Sequence, residues 1–125
     1  MLSDRRVYAT IPAADLERAK QWYEQKLGVR PSREEPIGTI YELGGGTAFL
    51  LYPSPSAGQA PNTLATFSST DIPADVAALR KRGIKFEDYD VPGLKTIDGI
   101  AQFGDRRAAW FKDSEGNILA IGDGS

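Results

Sequence analysis

Ala9-Thr10-Ile11-Pro12-Ala13-Ala14-Asp15-Leu16 lines up with Ala65-Thr66-Phe67-Ser68-Ser69-Thr70-Asp71-Ile72, with the Ala, Thr and Asp positions identical and the apolar positions apolar in both. The two copies lie about half a chain apart, and self-similarity at such a spacing marks a duplicated supersecondary unit. After each Asp comes a helical pattern that stops at glycine: Leu16 to Leu27 before Gly28, and Ile72 to Arg82 before Gly83. Each copy therefore reads as a strand followed by a helix.

The first unit shows its physics plainly. Val7, Ala9, Ile11 and Ala13 alternate with Tyr8, Thr10 and Pro12, the period of two of a strand whose faces meet different surroundings. Asp15 is placed to cap the helix, Leu16, Ala19, Tyr23 and Leu27 form its apolar stripe with Trp22 at the border, and Gly28 supplies a left-handed stop. In the second unit Ile72, Val76 and Leu79 make the stripe and Pro73 falls in the first turn, where its missing donor is harmless. Helix capping is the ordinary role for Asp15 and Asp71.

Strand and turn signals follow each helix. Thr39 to Leu43, the Gly44-Gly45-Gly46 turn and Thr47 to Tyr52 follow the first, after a Pro/Glu-rich stretch. Ile84 to Glu87, a loop through Asp90-Val91-Pro92-Gly93, Arg107 to Phe111, the turn at Ser114 to Asn117 and Ile118 to Ile121 follow the second. The expected fold is α+β, two βαβββ modules at approximately 5–53 and 63–122 that form a cupped mixed sheet with helices outside, joined by a Pro/Gly/Ser-rich linker at 54–62. With 125 residues the chain, 1–125, is expected to be a single domain.

Composition excludes much. Lys plus Arg is 15 against 17 Asp plus Glu, a net charge of −2, so no basic field draws nucleic acid or anionic lipid, and neither is an expected partner. Without Cys or His there is no thiolate nucleophile, no disulfide and none of the commonest metal ligand. No run approaches the ~18 apolar residues of a membrane span and the amino terminus carries no signal-like core, so a cytoplasmic protein is expected. No G-x-S-x-G elbow, Walker loop or G-x-G-x-x-G after a strand is present, and the triple glycine lies between strands, as a hairpin turn does.

The strand before Asp15-Leu16-Glu17-Arg18-Ala19, then Trp22-Tyr23 and Leu27-Gly28, the repeat at Asp71-Ile72, and Phe111-Lys112-Asp113-Ser114-Glu115-Gly116-Asn117 together resemble the vicinal oxygen chelate superfamily of glyoxalases, bleomycin-resistance proteins and dioxygenases. The last segment is similar to the family's F-x-D-P-D-G-N turn, with Ser114 in place of the usual Pro. By that resemblance the four metal-ligand positions fall on Tyr8, Leu64, Ala120 and either Phe49 or Leu50, one phenol and three hydrocarbons. A metal needs converging lone-pair donors, so no metal and no cofactor are expected here. The resemblance also implies a homodimer whose pockets form between subunits.

Strand parity then lines the cup with Tyr8, Thr10 and Pro12, with Thr47, Phe49 and Leu51, with Leu64, Thr66 and Ser68, and with Ile118 and Ala120; Trp110 faces in if Phe111 packs under the helices. The expected ligand-binding set is Tyr8, Thr10, Phe49, Leu51, Leu64, Thr66, Ser68, Tyr89, Trp110 and Ala120, with no catalytic residue. Tyr89 belongs to the stretch 87–101, read either as a mobile loop over the site or as an ordinary solvated connection. Such a cup suits a small hydrophobic or aromatic ligand, and the resemblance to bleomycin-resistance proteins implies metal-independent sequestration of a planar antibiotic or natural product. The alternatives are a glyoxalase-like lyase or isomerase, a dioxygenase-like enzyme, or an interaction module with a closed cup.

Overall fold

The structure, a computed structural model, describes residues 1–124. Strand β1 (Ala9–Ala13) leads into helix α1 (Leu16–Trp22), which finishes as a single π-helical turn over Tyr23–Leu27. Strands β2 (Arg33–Glu35), β3 (Gly38–Glu42) and β4 (Ala48–Pro53) follow. The second half repeats the plan with β5 (Thr63–Ser68) and α2 (Ile72–Lys81), then β6 (Asp90–Val91), β7 (Leu94–Ile97), β8 (Ile100–Phe103), β9 (Arg106–Lys112) and β10 (Ile118–Gly122).

Two mixed sheets result, ordered β1-β4-β3-β2 and β5-β10-β9-β8-β7-β6. In each, the strand before the helix pairs in parallel with the last strand of its unit, and the remaining pairs are antiparallel. The helix ends obey local chemistry. Asp15 accepts from the Arg18 N–H and Asp71 from the Ala74 N–H, both at 3.1 Å, and Gly28 takes the left-handed conformation at φ 70°.

The segment 87–101 is not the loop expected. It folds into β6, β7 and the start of β8, a meander that widens the second sheet, because Pro92-Gly93 and Asp98-Gly99 are turns between paired strands. The strand expected at Ile84 to Glu87 contributes only a bridge from Phe86 to Phe111.

One core serves both halves, with Ile11, Tyr23, Tyr41, Leu51, Ile72, Phe111 and Leu119 all fully buried. The turn between β9 and β10 ties the halves together. Buried Asp113 accepts the Tyr23 hydroxyl at 2.6 Å and the N–H groups of Glu115 and Asn117; the Asn117 amide donates to the Pro12 carbonyl at 2.7 Å and accepts the Gly58 N–H. Glu115 accepts the Asp15 N–H at 2.8 Å and a bidentate pair from Arg18 at 2.9 and 3.0 Å. Burial pulls the Glu115 carboxyl upward, but the Arg18 guanidinium, the Asp15 N–H and the Ser114 hydroxyl overcome it and hold the group at about 2. The motif residues of the second half thus grip β1, α1 and the linker of the first.

Candidate functional site

Residues opposite one another in a ladder share a face, so register decides which side chains meet. In the first sheet Ala9 pairs with Phe49 and Ile11 with Leu51, and these point toward the helices; Thr10 pairs with Leu50 and Pro12 with Tyr52, on the open face turned away from them. Phe49 and Leu51, expected in the cup, therefore turn toward the core, although Phe49 also borders a recess of about 420 Å³ with Thr66 and Ser68 at the edge between the sheets. Phe49 stacks on Tyr41 at 4.6 Å and meets Tyr23 at 5.5 Å. Leu50, not Phe49, shares the open face with Tyr8 and Thr10. A single-residue shift of register exchanges the faces completely, and the unbroken apolar run Phe49-Leu50-Leu51 has no alternation from which to choose.

On the second sheet Thr66, Ala120 and Trp110 stand in one row, with Ser68, Gly122 and Ala108 in the next on the same open face. Phe111, beside Trp110, is buried under the helices. Leu64 departs from the expected set. The pairing slips between Ile118 opposite Thr63 and Leu119 opposite Ala65, leaving Leu64 as the extra residue of a bulge, and it packs against the core. Thr63 takes its place: its hydroxyl accepts the Trp110 indole N–H at 3.1 Å.

Around that indole the open face builds an aromatic cluster. Tyr89 meets Trp110 edge-on at 5.6 Å and Phe103 does so at 6.3 Å, the arrangement that the ring quadrupoles favour. A recess of about 280 Å³ lies there, lined by Asn62, Thr63, Tyr89, Leu94, Trp110 and Ile118. Tyr89 is held by backbone as well, since its N–H donates to Thr96 Oγ1 at 2.8 Å. Burial and the Glu87 carboxylate push its phenol upward.

The first sheet's open face carries a larger recess, about 520 Å³, with an apolar floor of Tyr8, Ile37, Ile40 and Ala48. Its rim is ionic, which the sequence reading missed. Arg33 donates to Glu42 at 2.6 Å and to Glu35 at 2.9 Å, and Arg6 donates to the Gly46 carbonyl at 2.8 Å. The two carboxylate hydrogen bonds raise the Arg33 guanidinium further. The signal was present in sequence: once β2 pairs with β3 so that Arg33 faces Ile40, Arg33, Glu35 and Glu42 fall on the face of Tyr8.

The residues at the family's ion-binding positions do not suit a divalent cation. Tyr8 is a half-exposed phenol, Leu64 and Phe49 belong to the core, Leu50 and Ala120 are hydrocarbon, and among the described residues no group of three or more His, Cys, Asp or Glu could hold a metal.

Comparison with solved structures places the fold. UcmS2 superposes with a TM-score of 0.74 at 18% identity, covering 96% of this chain and 98% of its own. TnmS3, an antibiotic binding protein from Streptomyces sp. CB03234, gives 0.65 at 21% identity over 97% and 98%. A glyoxalase family protein from Enterococcus faecalis gives 0.69 at 23% over 98% and 99%. A search of curated protein sequences returned no match. The family model for the Glyoxalase/Bleomycin resistance protein/Dioxygenase superfamily matches residues 5–121.

Proposed function

Because the chain belongs to the Glyoxalase/Bleomycin resistance protein/Dioxygenase superfamily, we propose that it binds a planar, largely apolar small molecule on its open sheet faces without a metal and without transforming it. The observation that carries this reading is the Tyr89, Trp110 and Phe103 cluster, fixed by the Trp110 to Thr63 hydrogen bond. A flat ligand stacked there gains about 1 kcal/mol per ring contact beyond its buried area, and the Thr63 bond reduces the freedom the indole has to lose on binding. The hydroxyls of Thr10, Thr66 and Ser68 on the open faces supply orienting groups, with Ala120 a smooth floor beside Trp110. That TnmS3 is an antibiotic binding protein of the same fold supports an antibiotic or natural product as the ligand class.

A homodimer belongs to this proposal. Tyr8, Ile37, Val91 and Phe103 are exposed large hydrophobic residues of the open faces, and covering them with a second copy would enclose the two recesses. No helix of the described residues is long and apolar enough to cross a membrane, and the domain is proposed to act in the cytoplasm as one unit.

The test is a titration of the purified protein with bleomycin, mitomycin and an anthraquinone-fused enediyne. Fluorescence is read in a Trp22→Phe variant that leaves Trp110 as sole reporter, with calorimetry on the parent protein and on Trp110→Ala. Saturable quenching by one of these compounds, and at least tenfold weaker binding in Trp110→Ala, is expected. Absence of saturation across the set overturns the reading.

A further inference from the structure

On the helix side of the second sheet, reaching the sheet edge at Ser68, lies a recess of about 280 Å³ between the end of α1, α2 and the sheet. Leu27, Val29, Leu43, Leu79, Phe111 and Ile121 make most of its wall. Asp75 is the single charged residue in its lining. We propose that this recess is a second binding site, for a small amine that carries one aromatic ring or a branched aliphatic body, and that Asp75 receives the ammonium group.

Asp75 is what selects the ligand. It is half-buried in the first turn of α2, where its backbone N–H closes on Asp71 and its Oδ2 accepts the Ser69 hydroxyl at 2.5 Å. Among the described residues it forms no salt bridge. Three cations near the other end of α2 are engaged there: Lys26 donates to the Arg82 carbonyl, Arg82 to that of Gln25 and Arg80 to that of Asp98, while Lys81 lies in the last turn, at the opposite end of the helix from Asp75. A carboxylate in the first helical turn is favourable by itself. That role does not require an apolar recess beside it, and a largely hydrocarbon wall, with Ser68 and one acid that has no cationic partner among the described residues, is complementary to a hydrophobic cation. An anion would meet repulsion there, and a neutral hydrocarbon would leave the acid unused. The volume, near the lower edge of ordinary ligand pockets, limits the body to about one ring.

Access has a structural basis too. Leu43, which borders the recess, is followed by Gly44, Gly45 and Gly46, and a side chain built at any of the three would find nothing within 4 Å. The hairpin tip beside the recess thus borders open space and does not obstruct its mouth.

The inference does not rest on the aromatic cluster, and the experiment separates the two sites. Binding of 2-phenylethylamine, 2-phenylethanol and phenylacetate is followed by calorimetry on the parent protein, Asp75→Asn, Ala78→Phe and Trp110→Ala, each first shown to unfold cooperatively in denaturant. Asp75→Asn keeps the shape and an acceptor for Ser69. Ala78, an exposed lining residue, becomes a ring that fills the recess without cutting the core. The expected result is saturable binding of the amine, with the alcohol at least tenfold weaker and phenylacetate silent. Binding should weaken at least tenfold in Asp75→Asn, vanish in Ala78→Phe and persist in Trp110→Ala. Equal binding of amine and acid, indifference to either Asp75→Asn or Ala78→Phe, loss in Trp110→Ala, or no saturation in the parent overturns the proposal. Only loss in Trp110→Ala would shift the amine to the open-face site.

Discussion

Replacing Glu115 by Gln tests whether the β9–β10 turn fastens the halves through charge. Gln keeps the side-chain volume and an oxygen for the Asp15 N–H at 2.8 Å, but offers Arg18 no negative partner. The Glu115 carboxyl, about 2 in the folded protein against an ordinary value near 4.3, corresponds to roughly 3 kcal/mol of preference for the charged form. Glu115 itself is buried while the Arg18 side chain is 55% exposed, so solvent screening of the partner brings the expected loss at pH 7 to about 2 kcal/mol. The sign follows from the depressed folded value. The contribution is complete above about pH 4.3, where the unfolded chain is ionised, and disappears as pH falls through 2. Urea denaturation of parent and Glu115→Gln at several pH values measures it directly. The stability gap should be about 2 kcal/mol near pH 7 and should narrow steadily from pH 4 toward 2. A gap that stays constant with pH, or one under about 0.5 kcal/mol at pH 7, refutes the charge-based account.

Tyr41→Phe should leave the protein as stable or raise its stability by about 1 kcal/mol in the same assay, because the Tyr41 hydroxyl is buried without a hydrogen-bond partner among the described residues. A loss above about 1 kcal/mol would mean that the hydroxyl has a partner after all. Burial, with the Glu34, Glu24 and Glu17 charges, holds that phenol up at about 12, so the parent's fluorescence titration should show no Tyr41 ionisation below pH 11. Gly58→Ala should cost about 2 kcal/mol or more, since a Cβ there would collide with the Glu115 carbonyl oxygen on a backbone with φ +78°. An unchanged denaturation midpoint would show that the linker does not pack on the turn.

How much of this was legible in the sequence depends on the range of the interaction that decides each feature. Asp15, Asp71, Gly28 and Gly83 act on backbone within a few residues, and their roles as caps and stops could be read directly. The duplication of the strand-helix unit was readable for the same reason. The π turn at Tyr23–Leu27 carries no local signal; it occurs where Tyr23 reaches Asp113, 90 positions away. Strands β6 and β7 were readable but missed, because Pro92-Gly93 and Asp98-Gly99 mark turns only if the short pieces between them are allowed to be strands. Facing is another matter. Leu64 is displaced by a bulge and Phe49 by register, and both are fixed by the neighbouring strand, about which the strand's own residues are silent.

The same distinction bears on where specificity resides. The segment Phe111 to Asn117, one of those that carry the family resemblance, is spent on internal structure: Asp113, Glu115 and Asn117 bind β1, α1 and the linker. Even the departure at Ser114 has an internal use, because its hydroxyl donates to Glu115 at 2.8 Å, a bond proline could not make. Family motifs of this kind specify how two halves are held, and they say little about what is held between or beside them. The groups that face outward, Tyr8, Arg6 and Arg33 on one sheet and Thr63, Tyr89 and Trp110 on the other, lie at positions where the motif imposes nothing. Substitutions at those positions should change the ligand without changing the fold, and substitutions in the turn should do the reverse. Trp110→Ala and Glu115→Gln, measured side by side for both binding and stability, form the pair in which the two effects separate.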